Sequence, residues 1–122
     1  MRTYIAGPMR GIQQYNFLAF DTAAERLRSI GRDVVSPAEL DRLAGFDPYK
    51  LPADTDWSHV PVHFSLEAAI RRDVEAILGC DSICVLPGWE KSVGATAEVA
   101  IAKWRGMVVE TYVDCVRNYM AR

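Results

Sequence analysis

The sequence predicts an α/β fold in which a small parallel sheet is covered by helices on both faces. Short apolar runs typical of strands alternate with segments whose apolar residues recur every three or four positions, as on one face of a helix. The run from Asp81 to Pro87 is almost continuously apolar, which is typical of a parallel strand buried between two helical layers. The length of 122 residues fits one compact core, so residues 1–122 are expected to form a single domain.

The first part of the chain predicts a βαβ opening. Residues 2–6 are a short β-type run, and over 15–30 apolar residues recur at helical spacing until Gly31 ends the helix. The run 33–36 is a second short strand. A short helix with proline at its first position follows over 37–45.

The second half of the chain continues this alternation. Ser65 is a typical N-cap for a helix that continues to about Gly79. Another helix is expected over 92–104, followed by a strand over 107–111 and a C-terminal amphipathic segment. The buried face of the helix after Ser65 is predicted to consist of four apolar residues, Ile70, Val74, Ile77 and Leu78.

Residues 46–64 contain three prolines and no clean hydrophobic period, which predicts a long loop. A loop of this length in so small a domain is usually functional, and this one could close over a ligand as a lid. The loop also contains His59 and His63, but Pro61 between them disrupts the helix that would align them as zinc ligands. No metal site is therefore predicted. No cofactor is expected either, because both the dinucleotide-binding fingerprint and the P-loop motif are missing from the sequence.

The charge balance argues against a polynucleotide partner. The chain has 14 Lys and Arg residues against 16 Asp and Glu residues, so it presents no strongly basic surface. Its three cysteines lack CxxC spacing, which suggests reduced thiols in a cytoplasmic compartment. No apolar run approaches the ~18 residues of a membrane span and no signal peptide is recognisable, so no membrane partner is expected.

The stretch Gly-Pro-Met-Arg-Gly, from Gly7 to Gly11, directly follows the first predicted strand. Ligands of open parallel sheets bind at the carboxyl ends of the strands, which is where this turn is expected. The glycines would let the backbone approach a ligand closely, and Arg10 could hold a phosphate with its forked donors. The alternative is a tight Gly-Pro turn with a solvated Arg10.

A second segment suited to an anion follows the strand 81–87, where Ser92 and Gly94 begin the next helix. The first backbone N–H groups of a helix have no partner within it, and the helix dipole places a partial positive charge beside them. The sequence therefore predicts that this helix end can bind an anion.

Glu98 is the most informative single residue of the sequence. Three and four positions away on its helix stand small or apolar residues, where a surface glutamate would normally have polar neighbours: Gly94, Ala95, Ile101 and Ala102. Burial there would raise the pKa of the carboxyl group, as is typical of a working carboxylate. The alternative is an exposed glutamate at the edge of the sheet.

Asp73 stands in a similar setting, beside Ile70, Val74 and Ile77 on the preceding helix. It could equally be an ordinary surface acid next to Arg72. Two carboxylates from different helices together with an arginine suggest chemistry at a glycosidic bond.

These residues carry a resemblance. Tyr-Ile-Ala-Gly-Pro-Met-Arg-Gly over 4–11, Asp73, and Ser-Val-Gly-Ala-Thr-Ala-Glu over 92–98 together resemble the nucleoside 2-deoxyribosyltransferase superfamily, including its 2'-deoxynucleoside 5'-phosphate N-hydrolase branch. More narrowly, the chain is similar to the DUF4406 proteins often found in phages and prophages. The resemblance implies a flavodoxin-like Rossmannoid three-layer sandwich. It also implies cleavage of an N-glycosidic bond through a glutamate that attacks the anomeric carbon.

The resemblance assigns roles to three catalytic residues. Glu98 falls on the nucleophilic glutamate, and Tyr4 would hydrogen-bond and orient it. Asp73 would contact the sugar or help protonate the departing base. The family commonly has a glycine two residues after the nucleophile, whereas this chain has Ala100.

The resemblance also assigns a phosphate site. Gly7 would lie against the ribose, and the segment Met9, Arg10 and Gly11 matches the part that holds a 5'-phosphate. Ser92 and the N–H groups after it, near Gly94, match the other side of that site. Trp89 and Trp57 could stack on a base or could be ordinary packing.

The predicted function is cleavage of the N-glycosidic bond of a (deoxy)nucleoside 5'-monophosphate, with water or another base as the acceptor. The alternative is a non-catalytic module that binds a nucleotide-derived signal. Because members of the superfamily tend to complete their sites across subunits, the resemblance also implies at least a homodimer.

Overall fold

The computed structural model of the chain describes residues 1–60 and 65–120. Its sheet has four strands, β1 (Arg2–Ala6), β2 (Asp33–Val35), β3 (Ser82–Val85) and β4 (Val108–Thr111). Its α-helices are α1 (Phe17–Ser29), α2 (Pro37–Leu43), α3 (Leu66–Leu78), α4 (Val93–Arg105) and α5 (Tyr112–Met120). Short 3₁₀ helices cover Gln13–Asn16, Pro48–Lys50 and Trp89–Lys91.

The strands lie in the order β2-β1-β3-β4, and every neighbouring pair is parallel. This is the doubly wound order of flavodoxin-like sheets, here with four strands. The sheet reverses its order between β1 and β3, so the loops that follow these two strands open side by side. The predicted fold class, an α/β flavodoxin-like sandwich with a small parallel sheet, is confirmed.

Side chains of the central strands alternate between two cores, one on each face of the sheet. On β1, Ile5 points into a core shared with α1 and α5, whereas Tyr4 and Ala6 point into a core shared with α3 and α4. On β3, Cys84 joins the first core and Ile83 the second. The result is the predicted three-layer arrangement of helices, sheet and helices.

Most predicted elements are present with boundaries shifted by one or two residues. Helix α1 begins at Phe17 rather than at residue 15 because Gln14, Tyr15 and Asn16 adopt left-handed backbone angles, with φ of 52°, 52° and 59°. Ser65 caps α3 as expected, since its side chain accepts a hydrogen bond from the Ala68 N–H.

The predicted buried face of α3 is wrong in part. Ile77 is buried, but Ile70 and Leu78 are each 51% exposed and Val74 is only partly buried. Each step of four residues along a helix turns about 40° beyond a full turn. The stripe formed by Ile70, Val74 and Leu78 therefore turns away from the sheet. The apolar pattern therefore identified the helix correctly but extended its buried face too far.

The first part of the predicted 46–64 loop packs against the body of the protein. Phe46 is 5% exposed and joins the core of α1, where its ring contacts those of Tyr15 and Phe17. Tyr49 donates a hydrogen bond to Asp21 on α1 at 2.8 Å. Residues 61–64 of the predicted lid lie outside the described residues.

Among the helices of the described part of the chain, none has the length and apolar character needed to cross a membrane.

Candidate active site

The centre of the candidate site is a hydrogen bond between a strand and a helix. The Tyr4 hydroxyl on β1 donates to Glu98 Oε2 on α4 at 2.5 Å. Strand alternation directs Tyr4 to the α3–α4 side of the sheet, where the ring is fully buried. Glu98 lies beside the buried stripe formed by Ala95, Val99 and Ala102, so its carboxylate reaches the end of the tyrosine ring. The structure thus brings together two of the three predicted catalytic residues.

The surroundings of Glu98 hold a proton on its carboxyl group. Burial raises the pKa of Glu98 to about 8, and the negative charges of Asp73 and Asp41 act in the same direction. The Tyr4 hydrogen bond opposes this shift because it stabilises the ionised carboxylate. Burial together with the nearby Glu98 also raises the pKa of the Tyr4 hydroxyl well above its ordinary value, so Tyr4 stays a donor. Glu98 is partly buried on a helix face of small and apolar residues, so it is not the fully exposed glutamate of the alternative interpretation.

Asp73, on α3, faces the same side of the sheet. Its Oδ1 atom is buried, and no hydrogen-bond partner for that atom is found among the described residues. Burial raises the pKa of Asp73 to about 7, with a further increase from Asp41 and an opposing effect of Arg72. A buried carboxyl oxygen without a protein partner is suited to a ligand or water. With this pKa, Asp73 can supply a proton near neutral pH.

An ion pair that the sequence did not predict lies next to these groups. Arg72 on α3 donates to Asp41 on α2 at 2.8 Å, and the Asp41 residue is 8% exposed. Asp41 acts electrostatically on Tyr4, Asp73 and Glu98, which places it in the same cluster. No sequence pattern points to Asp41, because a charged residue on a short helix is usually exposed.

Ser36 is a second polar residue that sequence reasoning missed. It follows β2 at the carboxyl edge of the sheet and is 1% exposed. Its hydroxyl oxygen is buried and makes no hydrogen bond within the described part of the chain. A serine directly before Pro37 is typical of the end of a strand, so no sequence pattern predicts its burial.

The Gly7 to Gly11 turn lies where the sequence predicts it, at the carboxyl end of β1. Gly7 is buried, and a Cβ at this position would lie 2.9 Å from Leu86 Cβ, so a larger residue would push the end of β3 away. Gly11 has a φ of +76°, which favours glycine. The structure therefore favours glycine at both positions, in addition to any contact with a ligand.

The two residues between these glycines differ in their surroundings. Met9 packs against the α1 core, so part of its side chain has a structural role. Arg10 is exposed, and no ion pair or hydrogen bond joins its side chain to the described residues. An exposed guanidinium without such contacts can be solvated or can bind an anion.

The loop after β3 lies beside this turn. A Cβ built on Gly88 would come within 3.6 Å of Pro8 Cγ, and the Leu86 N–H donates to the Ala6 carbonyl at 2.8 Å. Ser92 caps α4, because its hydroxyl accepts from the Ala95 N–H at 3.1 Å. The turn after β1 and the approach to α4 therefore share one edge of the sheet.

Gly94 and Trp89 complete the sequence-predicted residues. A Cβ at Gly94 would meet no atom within 4 Å, so the first turn of α4 has open space beside it. Trp89 is partly buried and packs against the α3–α4 core, which supports the packing interpretation of this side chain.

The described residues contain no group of three or more His, Cys, Asp or Glu side chains placed to hold a metal ion. His59 is exposed and lies 3.2 Å from Asp56, whereas His63 is outside the described range. The cluster of Tyr4, Glu98 and Asp73 can instead perform chemistry with its own groups. It offers two carboxyl groups with raised pKa values, one of them held by a phenol, and both can carry a proton near neutral pH.

Comparisons with known proteins identify the family and the fold of this chain. The family model of DUF4406, a domain of unknown function, matches residues 1–111. Among solved structures, the chain is similar to the 2-deoxyribosyltransferase of the psychrotolerant bacterium Bacillus psychrosaccharolyticus, with a TM-score of 0.60 and 21% sequence identity. The similarity covers 91% of this chain and 71% of that chain. A comparison with curated proteins gives no match.

The structural match and the family match support different conclusions. At 21% identity, the likeness to the 2-deoxyribosyltransferase concerns the fold, and a fold can host several activities. The family match covers nearly the whole chain and includes both the Gly7 to Gly11 turn and Glu98. The chain therefore belongs to the DUF4406 family and has the fold of a 2-deoxyribosyltransferase.

Proposed function

We propose that this protein cleaves the N-glycosidic bond of a (deoxy)nucleoside 5'-monophosphate, with Glu98 as the nucleophile. The observation that supports this most directly is the hydrogen bond from Tyr4 to Glu98, placed on a buried helix face with Asp73 nearby. A protein that only binds an anionic nucleotide gains nothing from two partly buried acids at its ligand site. The fold shared with a 2-deoxyribosyltransferase supports the same class of reaction.

The first step uses the ionised form of Glu98. Tyr4 holds Oε2, which leaves Oε1 to attack C1' of the sugar through an oxocarbenium-like transition state. The bond between C1' and the base nitrogen breaks as the glutamyl ester forms, and its electron pair leaves with the base. Asp73 donates a proton to the departing base, as its raised pKa allows.

The second step resolves the ester. Water attacks C1' and gives a sugar phosphate, or a second nucleobase attacks and gives a new nucleotide. In both cases the Glu98 carboxylate is released and Asp73 accepts the proton of the acceptor. Two displacements at C1' retain the configuration of the anomeric carbon.

The 5'-phosphate is proposed to bind between Arg10 and the start of α4. Arg10 is exposed at the edge of the sheet that carries the site, and α4 begins there with open space at Gly94. The N-terminus of α4 adds backbone N–H groups and the positive end of the helix dipole. Water or base as acceptor, a cytoplasmic location and a homo-oligomeric state belong to the same proposal.

Incubation with a panel of nucleoside and deoxynucleoside monophosphates, followed by chromatography for free base, tests this function. We expect base release from at least one nucleotide, and its loss in Glu98→Gln. Glu75→Gln serves as the control, because Glu75 is an exposed glutamate on the neighbouring helix α3. Tight binding of a nucleotide without any base release would support the non-catalytic alternative and overturn the proposed reaction.

A further inference from the structure

Three consecutive residues before α1 hold a backbone conformation that most side chains avoid. Gln14, Tyr15 and Asn16 all lie in the left-handed region, with φ of 52°, 52° and 59°, although none of them is glycine. This conformation brings Cβ close to the following carbonyl oxygen, so it is unfavourable at each position. Residues held in this way persist only where surrounding contacts fix them, and they cluster at functional sites. The contacts of this segment therefore indicate what its conformation serves.

Packing against the α1 core holds one side of the segment. The Tyr15 ring contacts Phe46, with the ring centroids 5.1 Å apart, and Phe46 belongs to that core. The next residue, Phe17, is fully buried in the same core. The Tyr15 N–H donates to the Ile12 carbonyl at 2.9 Å. These contacts anchor the backbone of the segment without using the Asn16 side chain.

The Asn16 side chain connects the segment to the Gly7 to Gly11 turn. Its Nδ2 atom donates to the Pro8 carbonyl at 2.9 Å. Pro8 also faces the loop after β3, since a Cβ built on Gly88 would lie 3.6 Å from Pro8 Cγ. Pro8 is thus held between Asn16 and the loop that leads to α4.

The position of Arg10 depends on this arrangement. Arg10 lies two residues after Pro8 and is exposed, and within the described part of the chain its side chain makes no ion pair or hydrogen bond. Its placement therefore comes from the backbone of the turn. We propose that Asn16 is a positioning residue, which holds the Pro8 carbonyl so that the turn presents Arg10 to the 5'-phosphate. This inference rests on the proposed phosphate site and not on the cleavage reaction.

Asparagine combines two properties that this position needs. It adopts left-handed angles more readily than most residues, and its amide group can donate to a carbonyl. Asn16→Gly keeps the first property and loses the second, without adding a charge. Asn16→Asp keeps the shape of the side chain, but an ionised carboxylate can only accept. A loss of binding shared by both variants therefore reports the missing donor, because neither charge nor backbone freedom is common to them.

Calorimetric titration with 2-deoxyribose 5-phosphate tests the proposal without requiring turnover. Both Asn16 variants should bind this sugar phosphate roughly threefold to tenfold more weakly than the unaltered protein, as loss of one hydrogen bond predicts. Gln14→Gly is the backbone control, because Gln14 is also left-handed and its side chain makes no hydrogen bond to the described residues. Asn118→Asp is the charge control, because Asn118 is exposed on α5. Both controls should bind like the unaltered protein.

A double-mutant cycle with Arg10→Ala separates positioning from general support of the fold. If Asn16 acts through Arg10, adding Asn16→Gly to Arg10→Ala should weaken binding by less than about twofold further. An undiminished loss in that background, unchanged binding in both Asn16 variants, or an equal loss in Gln14→Gly would overturn the proposal. So would an unfolded Asn16→Gly in circular dichroism, since Asn16 would then support the fold itself.

The same titration distinguishes this inference from the proposed reaction. An unaltered protein that releases base but does not bind the sugar phosphate would overturn the role of Asn16 and leave the reaction class standing. Binding that depends on Asn16 and Arg10, without base release from any nucleotide, would support the role of Asn16 and overturn the reaction.

Discussion

At the scale of single residues, the ionisation of Glu98 depends on its tyrosine partner. The Tyr4 hydroxyl donates to a carboxylate that is otherwise surrounded by apolar groups and by the negative charges of Asp73 and Asp41. The Tyr4 hydrogen bond lowers the pKa of Glu98, whereas burial and the charges of Asp73 and Asp41 raise it. Without it, the nucleophilic ionised form would be less populated at neutral pH.

Tyr4→Phe is therefore expected to reduce activity and to change its pH dependence. Hydrogen bonds to charged groups are worth about 1.5–3 kcal/mol, so kcat/KM should fall roughly tenfold to a hundredfold. The reaction needs ionised Glu98, and the pKa of that group rises when the donor is removed. The limb of the pH profile that increases with pH should move to higher pH, as a pH series of kcat/KM will reveal.

Tyr49→Phe provides the matched control for this prediction. Tyr49 also donates from its hydroxyl to a carboxylate, Asp21, at 2.8 Å, but at the surface of α1. This variant should keep both the rate and the pH profile of the unaltered protein. If Tyr4→Phe lowered the rate with an unchanged profile, its hydroxyl would support structure without tuning Glu98.

At the scale of elements, the turn after β1 combines rigid and open parts. Gly7 is fixed against Leu86, and Met9 packs on the α1 core. Arg10 extends into solvent from this supported backbone. A loop held in this way positions an exposed side chain without closing over it.

Arg10→Ala tests whether this side chain binds the 5'-phosphate. Loss of such a contact should cost about 1.5–3 kcal/mol, so kcat/KM for a nucleoside monophosphate should fall roughly tenfold to a hundredfold. Any weak activity on the matching nucleoside should hardly change, because that substrate has no phosphate to lose. Arg10→Lys should recover only part of the loss, since a point charge replaces a two-pronged donor.

The comparison of nucleotide and nucleoside in each variant isolates the phosphate contact. Equal losses on the two substrates would mean that Arg10 supports the loop. The Gly7 to Gly11 stretch would then be a structural turn beside a nucleoside site.

The glycines at the two sides of this edge should respond differently to alanine. Gly7→Ala brings a Cβ to 2.9 Å from Leu86 Cβ, so we expect a loss of about 1–3 kcal/mol in the free energy of unfolding. Gly94→Ala adds a Cβ in open space within a helix and should stabilise the protein by about 0.5–1 kcal/mol. Chemical denaturation measures both changes.

Gly94→Ala also tests where the phosphate of the ligand binds. If the phosphate lies against the first turn of α4, Gly94→Ala should raise KM for the nucleotide while the protein becomes more stable. Higher stability with an unchanged KM would place the phosphate away from Gly94.

At the scale of the whole molecule, the buried acids make folding stability depend on pH. The pKa of Glu98 is raised from 4.5 to about 8, so the folded state holds a proton that the unfolded state has released between these values. The unfolded state binds fewer protons in this range, and stability therefore falls as the pH rises through it. Asp73, with its pKa raised from 3.8 to about 7, contributes in the same direction.

Glu98→Gln should remove the largest part of this dependence. At pH 5 the variant and the unaltered protein both carry a neutral side chain at this position, so we expect similar stabilities. At pH 9 the unaltered protein must bury a charge, and the variant should be more stable by about 2 kcal/mol or more. Denaturation at both pH values, with Glu75→Gln as an exposed control, measures the difference. Parallel pH curves for Glu98→Gln and the unaltered protein would contradict the burial of an ionisable Glu98.

The sequence by itself determined the order of strands and helices along the chain, the parallel sheet and the candidate site residues. Hydrophobic period, glycine and proline positions and helix caps depend on neighbouring residues, so they can be recognised in the chain. The small neighbours of Glu98 in its own helix signalled its burial for the same reason. The Gly7 to Gly11 turn could be placed at a strand end because the run before it is short and apolar.

Only the tertiary structure decided how these residues meet. The contact between Tyr4 and Glu98 joins positions 94 residues apart, and the pair of Asp41 and Arg72 joins two helices across 31 residues. The exposure of Trp104 likewise depends on which side of α4 the sheet covers. Burial and pKa are set by groups that are distant in the chain and close in space, and no local pattern encodes them.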